Sequence, residues 1–336
     1  MLTPKGYKNR LIEKHFDEYM KTFGAVCIEG PKYCGKTWTG RSRAESAAFI
    51  GDPGNNFQTR TMAQLSPDLV LKGDFPRLID EWQEVPPLWD AVRFEVDKDN
   101  RKGKYILTGS ATPNHKGIMH SGTARISKVR MGTMSLYETG DSSGKVSLKN
   151  MFEENIEPQI TGDVSLNQII YYAVRGGWPG NLETPEESCG NLAVEYLKSV
   201  VDDDMYKVDG MKRDSRKVWS LLHALGRNES TIVSNSILRK DMEAKDEMQS
   251  DRDTISGYLD IFNRLFILDD QPAYSTKLLS SRRLLKSPKR HFIDPSLSVA
   301  ALGATQQRLL NDLNTFGFVF ENLCEHDLKI YAEYND

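Results

Sequence analysis

The chain has 336 residues, of which 39% are hydrophobic and 27% charged, and its formal net charge is −3. This length allows two or three domains, and the small net charge excludes a global field that would draw the protein onto nucleic acid or membrane. No apolar run approaches the roughly 20 residues of a membrane span, the amino terminus lacks a secretory signal, and the four cysteines lack metal-ligand spacing, so we expect a cytoplasmic protein with reduced thiols.

The first part of the chain alternates helical and strand patterns. Residues 9–22 carry apolar side chains at helical spacing, and the apolar run Ala25–Glu29 is typical of a buried strand. Two further apolar runs, Leu78–Asp80 and Tyr105–Leu107, predict additional buried strands. Such runs, separated by helical stretches, indicate an α/β fold in which helices flank a parallel sheet.

A phosphate-binding pattern follows the first predicted strand. The sequence GPKYCGKT fits G-x-x-x-x-G-K-[ST], between a strand and a helix. Its glycines permit close backbone approaches, so that loop N–H groups can cup a phosphate of ATP. Lys36 would supply a cation to the β- and γ-phosphates, and Thr37 a hydroxyl to Mg²⁺. The predicted nucleotide-binding residues of this loop are Gly30, Pro31, Lys32, Tyr33, Cys34, Gly35, Lys36, Thr37 and Trp38. A redox role for the Cys34 thiol is an additional hypothesis.

Polar residues end the next two predicted strands. We assign Asp80 to the Mg²⁺ ion and Glu81 to the base that polarises the attacking water; an acidic loop without function is the alternative. Thr108 and Ser110 end the third strand, at the edge where parallel sheets bind ligands, and we assign them to the γ-phosphate or its water. A plain turn signal is the competing interpretation of these two hydroxyls.

Two arginines in the stretch TARISKVR are candidates for stabilising the transition state. Arg125 or Arg130 would contact the γ-phosphate, and such an arginine often comes from a neighbouring subunit, so a homo-oligomer is one expectation. A solvated basic face is the alternative for each of them.

The second part of the chain has a helix-rich pattern. Helical periodicity covers Ser215–Arg227, Ile232–Met242 and Thr254–Leu268, and two β-prone pieces at 265–268 and 290–293 follow around a polar loop. Three helices and a hairpin are typical of a winged helix. We therefore predict a P-loop ATPase core at 1–165, a helical linker or lid at 166–212, a winged-helix-like domain at 213–305 and the start of a further domain at 306–336.

A basic loop within this region is a candidate contact for a DNA backbone. The segment RRLLKSPKR supplies five cationic residues, Arg282, Arg283, Lys286, Lys289 and Arg290. The acidic segment 241–253 would flank the reading helix and repel phosphate, so a solvated loop or a protein partner remain alternatives.

Taken together, the motifs GPKYCGKT, LIDEWQEVPPLWDAVRFEVD, YILTGSATP and MSLYE resemble the AAA-type ATPases of the archaeal-ATPase-like group. The later segments 175–179, 259–274, 286–304 and 313–332 are also similar to that family, so the resemblance covers nearly the whole chain. It implies nucleotide binding by the phosphate loop, metal and water activation by Asp80 and Glu81, and membership of Gln83 in the same IDExQ pattern. Arg125 matches an arginine of the family's SGxxR pattern, although Ala124 stands where a glycine is usual.

Members of that family usually continue into a fold resembling restriction endonucleases. This chain ends at Asp336, before the expected Glu-x-Lys, so we expect no nuclease activity. The predicted function is a Mg²⁺-dependent ATPase that couples ATP binding and hydrolysis to a conformational change in the winged-helix region. A nucleotide-gated switch with little turnover and a small-molecule kinase are the alternatives.

Overall fold

A computed structural model describes residues 2–111, 118–153, 157–160, 162–274, 276 and 287–335. The chain divides into two compact units. Unit 1 comprises Met1–Gly132 with Ile330–Asp336, and unit 2 comprises Thr133–Lys329. The predicted boundaries at 165, 212 and 305 stay a prediction. Within the described ranges, no helix combines the length and the apolar character that crossing a bilayer requires.

A parallel sheet forms the centre of unit 1. Its strands are β1 (Ala25–Glu29), β2 (Ser46–Phe49), β3 (Arg77–Asp80), β4 (Tyr105–Gly109) and β5 (Ile126–Arg130). They lie in the order β2-β3-β4-β1-β5, and all neighbours run parallel. The α/β class and the three predicted strands are thereby confirmed, whereas sequence periodicity missed the short edge strands β2 and β5.

Apolar clusters cover both faces of this sheet. One cluster contains Cys27, Ile79 and Leu107, and the other contains their chain neighbours Val26, Leu78 and Ile106. Because successive strand residues point to opposite faces, burial on both sides explains the continuous apolar runs. The helices of this unit are α1 (Glu13–Thr22), α2 (Lys36–Arg43), α3 (Gly54–Leu65), α4 (Pro67–Val70) and α5 (Pro87–Asp99).

Helices dominate the rest of the described chain. They are α6 (Leu136–Thr139), α7 (Leu148–Phe152), α8 (Leu166–Arg175), α9 (Asn191–Ser199), α10 (Met205–Asp209), α11 (Ser215–Arg227), α12 (Asn235–Asp246), α13 (Arg252–Arg264), α14 (Pro295–Ala301), α15 (Gln306–Asn311) and α16 (Leu313–Asn335). A buried apolar cluster in unit 2 contains residues of α8, α14, α15 and α16.

Three of these helices, α11 to α13, follow one another as the periodicity predicts, but both ends of α12 and of α13 differ from the predicted ranges 232–242 and 254–268. Helix α12 begins after Ser234 and α13 after Asp251, because these side chains accept hydrogen bonds from N–H groups of the first turn. Antiparallel bridges then join Leu268 to Phe292 and Gln271 to Lys289. The winged-helix assignment of this region stays a prediction.

Unit 2 also contains a charged group, the His291 cluster, which consists of the buried Glu229 and His291 and the partly exposed Glu325. The Nδ1 atom of His291 lies 3.2 Å from Oε1 of Glu229, and its Nε2 atom lies 2.7 Å from Oε2 of Glu325. Burial lowers the pKa of His291, but the hydrogen bonds and charges of the two carboxylates outweigh it and raise this pKa to about 9. The imidazole is therefore a cation at neutral pH.

Candidate nucleotide-binding site

The phosphate loop connects β1 to α2 and depends on backbone conformations that glycine favours. A Cβ atom at Gly30 would lie 2.0 Å from the Met131 carbonyl oxygen, so only glycine fits there. Gly35 has a φ of 105°, and Tyr33 also lies in the left-handed region with a φ of 62°. Helix α2 begins directly after Gly35, so the N–H groups of its first turn, which have no acceptor within the helix, lie next to the loop.

Lys36 is the buried cation of this loop. Its side chain is 5% exposed, and its Nζ atom donates a hydrogen bond of 2.6 Å to the Pro31 carbonyl oxygen. The ammonium group is therefore held across the loop by a neutral acceptor. A carbonyl is a weaker partner for a cation than a phosphate oxygen, so an incoming phosphate would compete well for it.

The carboxylate of Asp80, at the end of β3, joins the loop to the neighbouring strand β4. Its Oδ1 atom accepts hydrogen bonds of 2.7 Å from the hydroxyl groups of both Thr37 and Thr108. Burial is the main cause that raises the pKa of Asp80. The structure thus brings the two predicted metal ligands, Thr37 and Asp80, together.

The donor set at this position fits Mg²⁺. A hydroxyl and a carboxylate are oxygen ligands of the kind that Mg²⁺ takes, and Mg²⁺ usually completes its shell with water and phosphate oxygens. Among the described residues, no three or more His, Cys, Asp or Glu side chains are grouped as a metal site would need. A magnesium ion held by Thr37 and Asp80 would therefore take further oxygen ligands from water or phosphate.

Glu81 follows directly and has an unusual backbone conformation. Its φ is 56°, and its N–H group donates to the Thr108 hydroxyl at 3.1 Å. The carboxylate Oε2 accepts hydrogen bonds from Ser110, at 2.9 Å, and from the Gln83 amide. Gln83 also donates to Ser110 at 3.2 Å. A left-handed glutamate costs on the order of 1 kcal/mol, and such strain concentrates at functional sites.

The remaining residues of the loop differ in exposure. The Tyr33 side chain is 76% exposed and that of Trp38 44% exposed, whereas Cys34 is fully buried with its Sγ atom 3.5 Å from the Met131 carbonyl oxygen. A buried thiol is shielded from oxidants, so this placement argues against the hypothesis of a redox switch at Cys34.

The two candidate arginines lie at opposite ends of strand β5. Arg125 precedes β5, its carbonyl accepts the N–H of Ala25 at the amino end of β1, and its Nε atom lies 2.7 Å from Oδ1 of Asp97. Arg130 ends β5 in register with Glu29, next to the phosphate loop. Five strand residues span roughly 16 Å. The structure therefore does not bring Arg125 to the site of its own chain, and a role from a neighbouring subunit stays a prediction.

The predicted basic surface is described only in part. Arg282, Arg283 and Lys286 lie outside the described residues. Lys289 is paired with Glu321, and Arg290 is 7% exposed, paired with Asp270 and hydrogen-bonded to Asn235 at 2.8 Å. Because its guanidinium is buried, the prediction that Arg290 contacts DNA at the surface is wrong.

Sequence reasoning missed Arg10, which lies just before α1. Its side chain is 6% exposed, and its guanidinium donates to the carbonyl oxygens of Cys34, at 2.8 Å, and Gly132, at 3.0 Å. The contacts join positions distant in sequence, and a single arginine at the start of the amphipathic pattern 9–22 gives no signal of them.

Comparisons with known proteins agree with this geometry. Residues 22–140 match a family described as AAA domain, and residues 166–308 match a domain of unknown function, DUF8612. Uncharacterized proteins of Mycobacterium bovis and Mycobacterium tuberculosis are each 29% identical over 121 residues, which are 35% of this chain. The match spans 27% of the length of each of these relatives.

A solved structure, a Walker-type ATPase of Pyrococcus abyssi, is similar over 90% of this chain and 99% of its own, with a TM-score of 0.51 and 12% identity. At this identity the likeness concerns the fold alone. The winged-helix region and the restriction-endonuclease-like continuation find no confirmation in these matches. Together, the AAA-domain match, the structural likeness and the loop geometry support a P-loop NTPase fold for the first part of the chain, followed by a region similar to a family without assigned function.

Proposed function

We propose that this chain binds ATP with Mg²⁺ at the phosphate loop and hydrolyses it to ADP and phosphate. One observation carries the proposal: the Thr37 hydroxyl, the Asp80 carboxylate and the Thr108 hydroxyl meet within 2.7 Å contacts beside the buried Lys36. A carboxylate at a strand end bonded to the loop's own threonine matches the parts that phosphoryl transfer requires.

The hydrogen bonds of the site residues indicate the role that each would have in this reaction. The loop N–H groups and Lys36 bind phosphate oxygens, with Lys36 exchanging the Pro31 carbonyl for a phosphate. Thr37 and Asp80 would hold the magnesium ion, which would supply charge stabilisation at the phosphate oxygens. Glu81 accepts the proton of the attacking water, and Ser110 and Gln83 set the orientation of its carboxylate.

The decisive experiment compares Glu81→Gln with Glu84→Gln. Loss of a general base typically lowers turnover by roughly 10²- to 10⁴-fold, while binding of MgATP should be unchanged because the loop is intact. Glu84 lies three residues further on, is exposed and is paired with Arg60, so its variant should keep turnover within about twofold. Steady-state phosphate release and calorimetry with MgATP measure the two quantities. Equal turnover in Glu81→Gln and wild type contradicts the assignment.

A nucleotide-gated switch is the second candidate, because the Glu81 carboxylate is already engaged by two donors. If these bonds persist with ATP bound, turnover would stay near the roughly 10⁻³ s⁻¹ or less of unassisted GTPase switches.

Both candidate functions, the ATPase and the switch, are compatible with coupling of nucleotide binding to the winged-helix-like region. Hydrogen exchange of residues 213–274 with MgATP against MgADP would detect it; identical exchange in both states counts against coupling. Phosphate release without an acceptor counts against a kinase.

A further inference from the structure

The Cys34–Gly35 peptide lies at the carboxyl end of the phosphate loop, directly before α2. Tyr33 and Gly35, on either side of Cys34, both have positive φ, so the chain reverses direction here. In a planar trans peptide the C=O and the next N–H point in opposite directions. Fixing the Cys34 carbonyl on one side therefore fixes the Gly35 N–H on the opposite side of the peptide.

Arg10 holds this carbonyl. Its Nη1 atom donates to the Cys34 oxygen at 2.8 Å, and its Nη2 atom donates to the Gly132 oxygen at 3.0 Å. The planar guanidinium presents both donors in a fixed geometry, which a lysine does not reproduce. Cys34 is fully buried. Without a donor its carbonyl would be unsatisfied and the peptide would gain a reason to rotate.

The segment that carries Arg10 is itself tied to α2. The Arg10 N–H donates to Glu13 Oε1 at 3.2 Å, and Glu13 Oε2 lies 2.9 Å from Arg43. Tyr7 donates to Glu13 as well and lies 2.9 Å from the Thr39 hydroxyl. Arg10 is therefore supported from its own turn and from the helix that follows the phosphate loop.

We propose that Arg10 is a positioning residue for nucleotide binding: it pre-organises the phosphate loop by holding the Cys34–Gly35 peptide with its N–H towards the bound phosphate. The inference rests on the proposed function, since its consequence is nucleotide affinity. Arg10 acts through the loop backbone and needs no contact with the nucleotide.

The variants are Arg10→Met, Arg10→Lys and a matched control, Arg77→Met. Arg77 also donates to a backbone carbonyl, that of Val70 at 2.7 Å, and to Ser46, but it begins β3 at the amino edge of the sheet. Removing either guanidinium costs similar hydrogen bonds, so Arg77→Met reports the effect of a general loss of stability.

The first measurement needs no nucleotide. Cys34 in the loop and Cys27 in β1 are both fully buried, so alkylation of each, read by peptide mass, compares loop opening with opening of the sheet. In Arg10→Met we expect Cys34 to be labelled about tenfold faster than in wild type, with Cys27 unchanged. In Arg77→Met the two cysteines should keep their wild-type ratio.

The second measurement is calorimetry with MgADP. We expect Kd to rise about tenfold in Arg10→Met, less in Arg10→Lys, and less than twofold in Arg77→Met. An unchanged Kd in Arg10→Met, or Cys34 labelling that only follows Cys27, overturns the proposal. If wild-type protein gives no heat with MgADP or MgATP, the proposed function fails. In that case the labelling of Cys34 in Arg10→Met is the remaining test of whether Arg10 orders the loop. A labelling rate equal to that of wild type would reject this role as well.

Discussion

Two buried carboxylates, Asp80 in unit 1 and Glu229 in unit 2, have different partners. Asp80 accepts hydrogen bonds from the hydroxyl groups of Thr37 and Thr108, whereas Glu229 lies against the imidazole of His291. Burial is the main cause that raises the pKa of both carboxyl groups. A hydroxyl satisfies a carboxylate oxygen without neutralising it, while an imidazolium does both.

This difference separates the proposed magnesium site from a structural ion group. The charge of Asp80 is solvated by neutral donors and stays available to an incoming cation. The charge of Glu229 already has its cation inside the fold. Burial and a shifted pKa alone would mark both carboxylates as functional candidates. The nature of the partners distinguishes them.

The largest expected effect tests the Asp80 side of the comparison. In Asp80→Asn the amide oxygen still accepts from both threonines, so the free energy of unfolding should change by less than about 1 kcal/mol. ATP turnover should fall at least about 100-fold, because the metal ligand has lost its charge. Urea unfolding and phosphate release provide the measurements. If Asp80→Asn were strongly destabilised but still active, Asp80 would have a structural role and not a role in metal binding.

The second effect is the pH dependence of stability, which tests the His291 side. The pKa of His291 is about 9 in the folded chain and 6.5 in its reference state. The folded state binds more protons between these values, so this stabilisation is complete below about pH 6.5 and is lost as the pH rises through 9. We expect a loss of up to about 3 kcal/mol in the free energy of unfolding.

Urea unfolding at pH 6.5 and at pH 9.5 measures this dependence. His291→Gln is the control: it should be less stable at pH 6.5 and should show a shallower decline with pH, since the titrating group is absent. Parallel pH profiles for wild type and His291→Gln would mean that the imidazole is not the cation of this cluster.

The smallest effect refines the role of the hydroxyl groups. Thr108→Val keeps the shape of the side chain but removes the donor to Asp80 and the acceptor for the Glu81 N–H. The two lost hydrogen bonds are worth about 1 kcal/mol each, so turnover should fall by up to about 30-fold. The exposed Thr22→Val in α1 is the matched control and should leave turnover at its wild-type value. Equal turnover in Thr108→Val and Thr22→Val would show that the Thr108 hydroxyl has no role in turnover.

Local pattern was sufficient for much of the site. The phosphate loop, Asp80, Glu81, Thr108 and Ser110 follow from strand ends, because parallel strands of one sheet end at the same edge. Their contacts in the structure agree with that reasoning. Asp80 and Thr108 lie at the carboxyl ends of β3 and β4, and Glu81 and Ser110 directly follow these strands, so their placement is insensitive to small errors in the strand bounds.

Non-local placement was not accessible in the same way. Arg125 and Arg130 are five residues apart, and only the start of β5 decides which one reaches the edge of the phosphate loop. Arg290 belongs to a basic run that resembles an exposed loop, yet Asp270, distant in sequence, holds it inside. The partners of Arg10 are 24 and 122 positions away. Contacts of this kind depend on tertiary packing.

The central position of β1 also constrains the order of events during synthesis. The strand that leads into the phosphate loop pairs with Tyr105–Gly109 and Ile126–Arg130, and Gly30 packs against Met131. A ribosome therefore releases the GPKYCGKT motif long before the segments that shape it. Contacts with such separation form slowly because a long loop must close first. Until residue 132 or so has emerged, the nascent chain carries the motif but not the pocket, and a nucleotide has nothing ordered to bind.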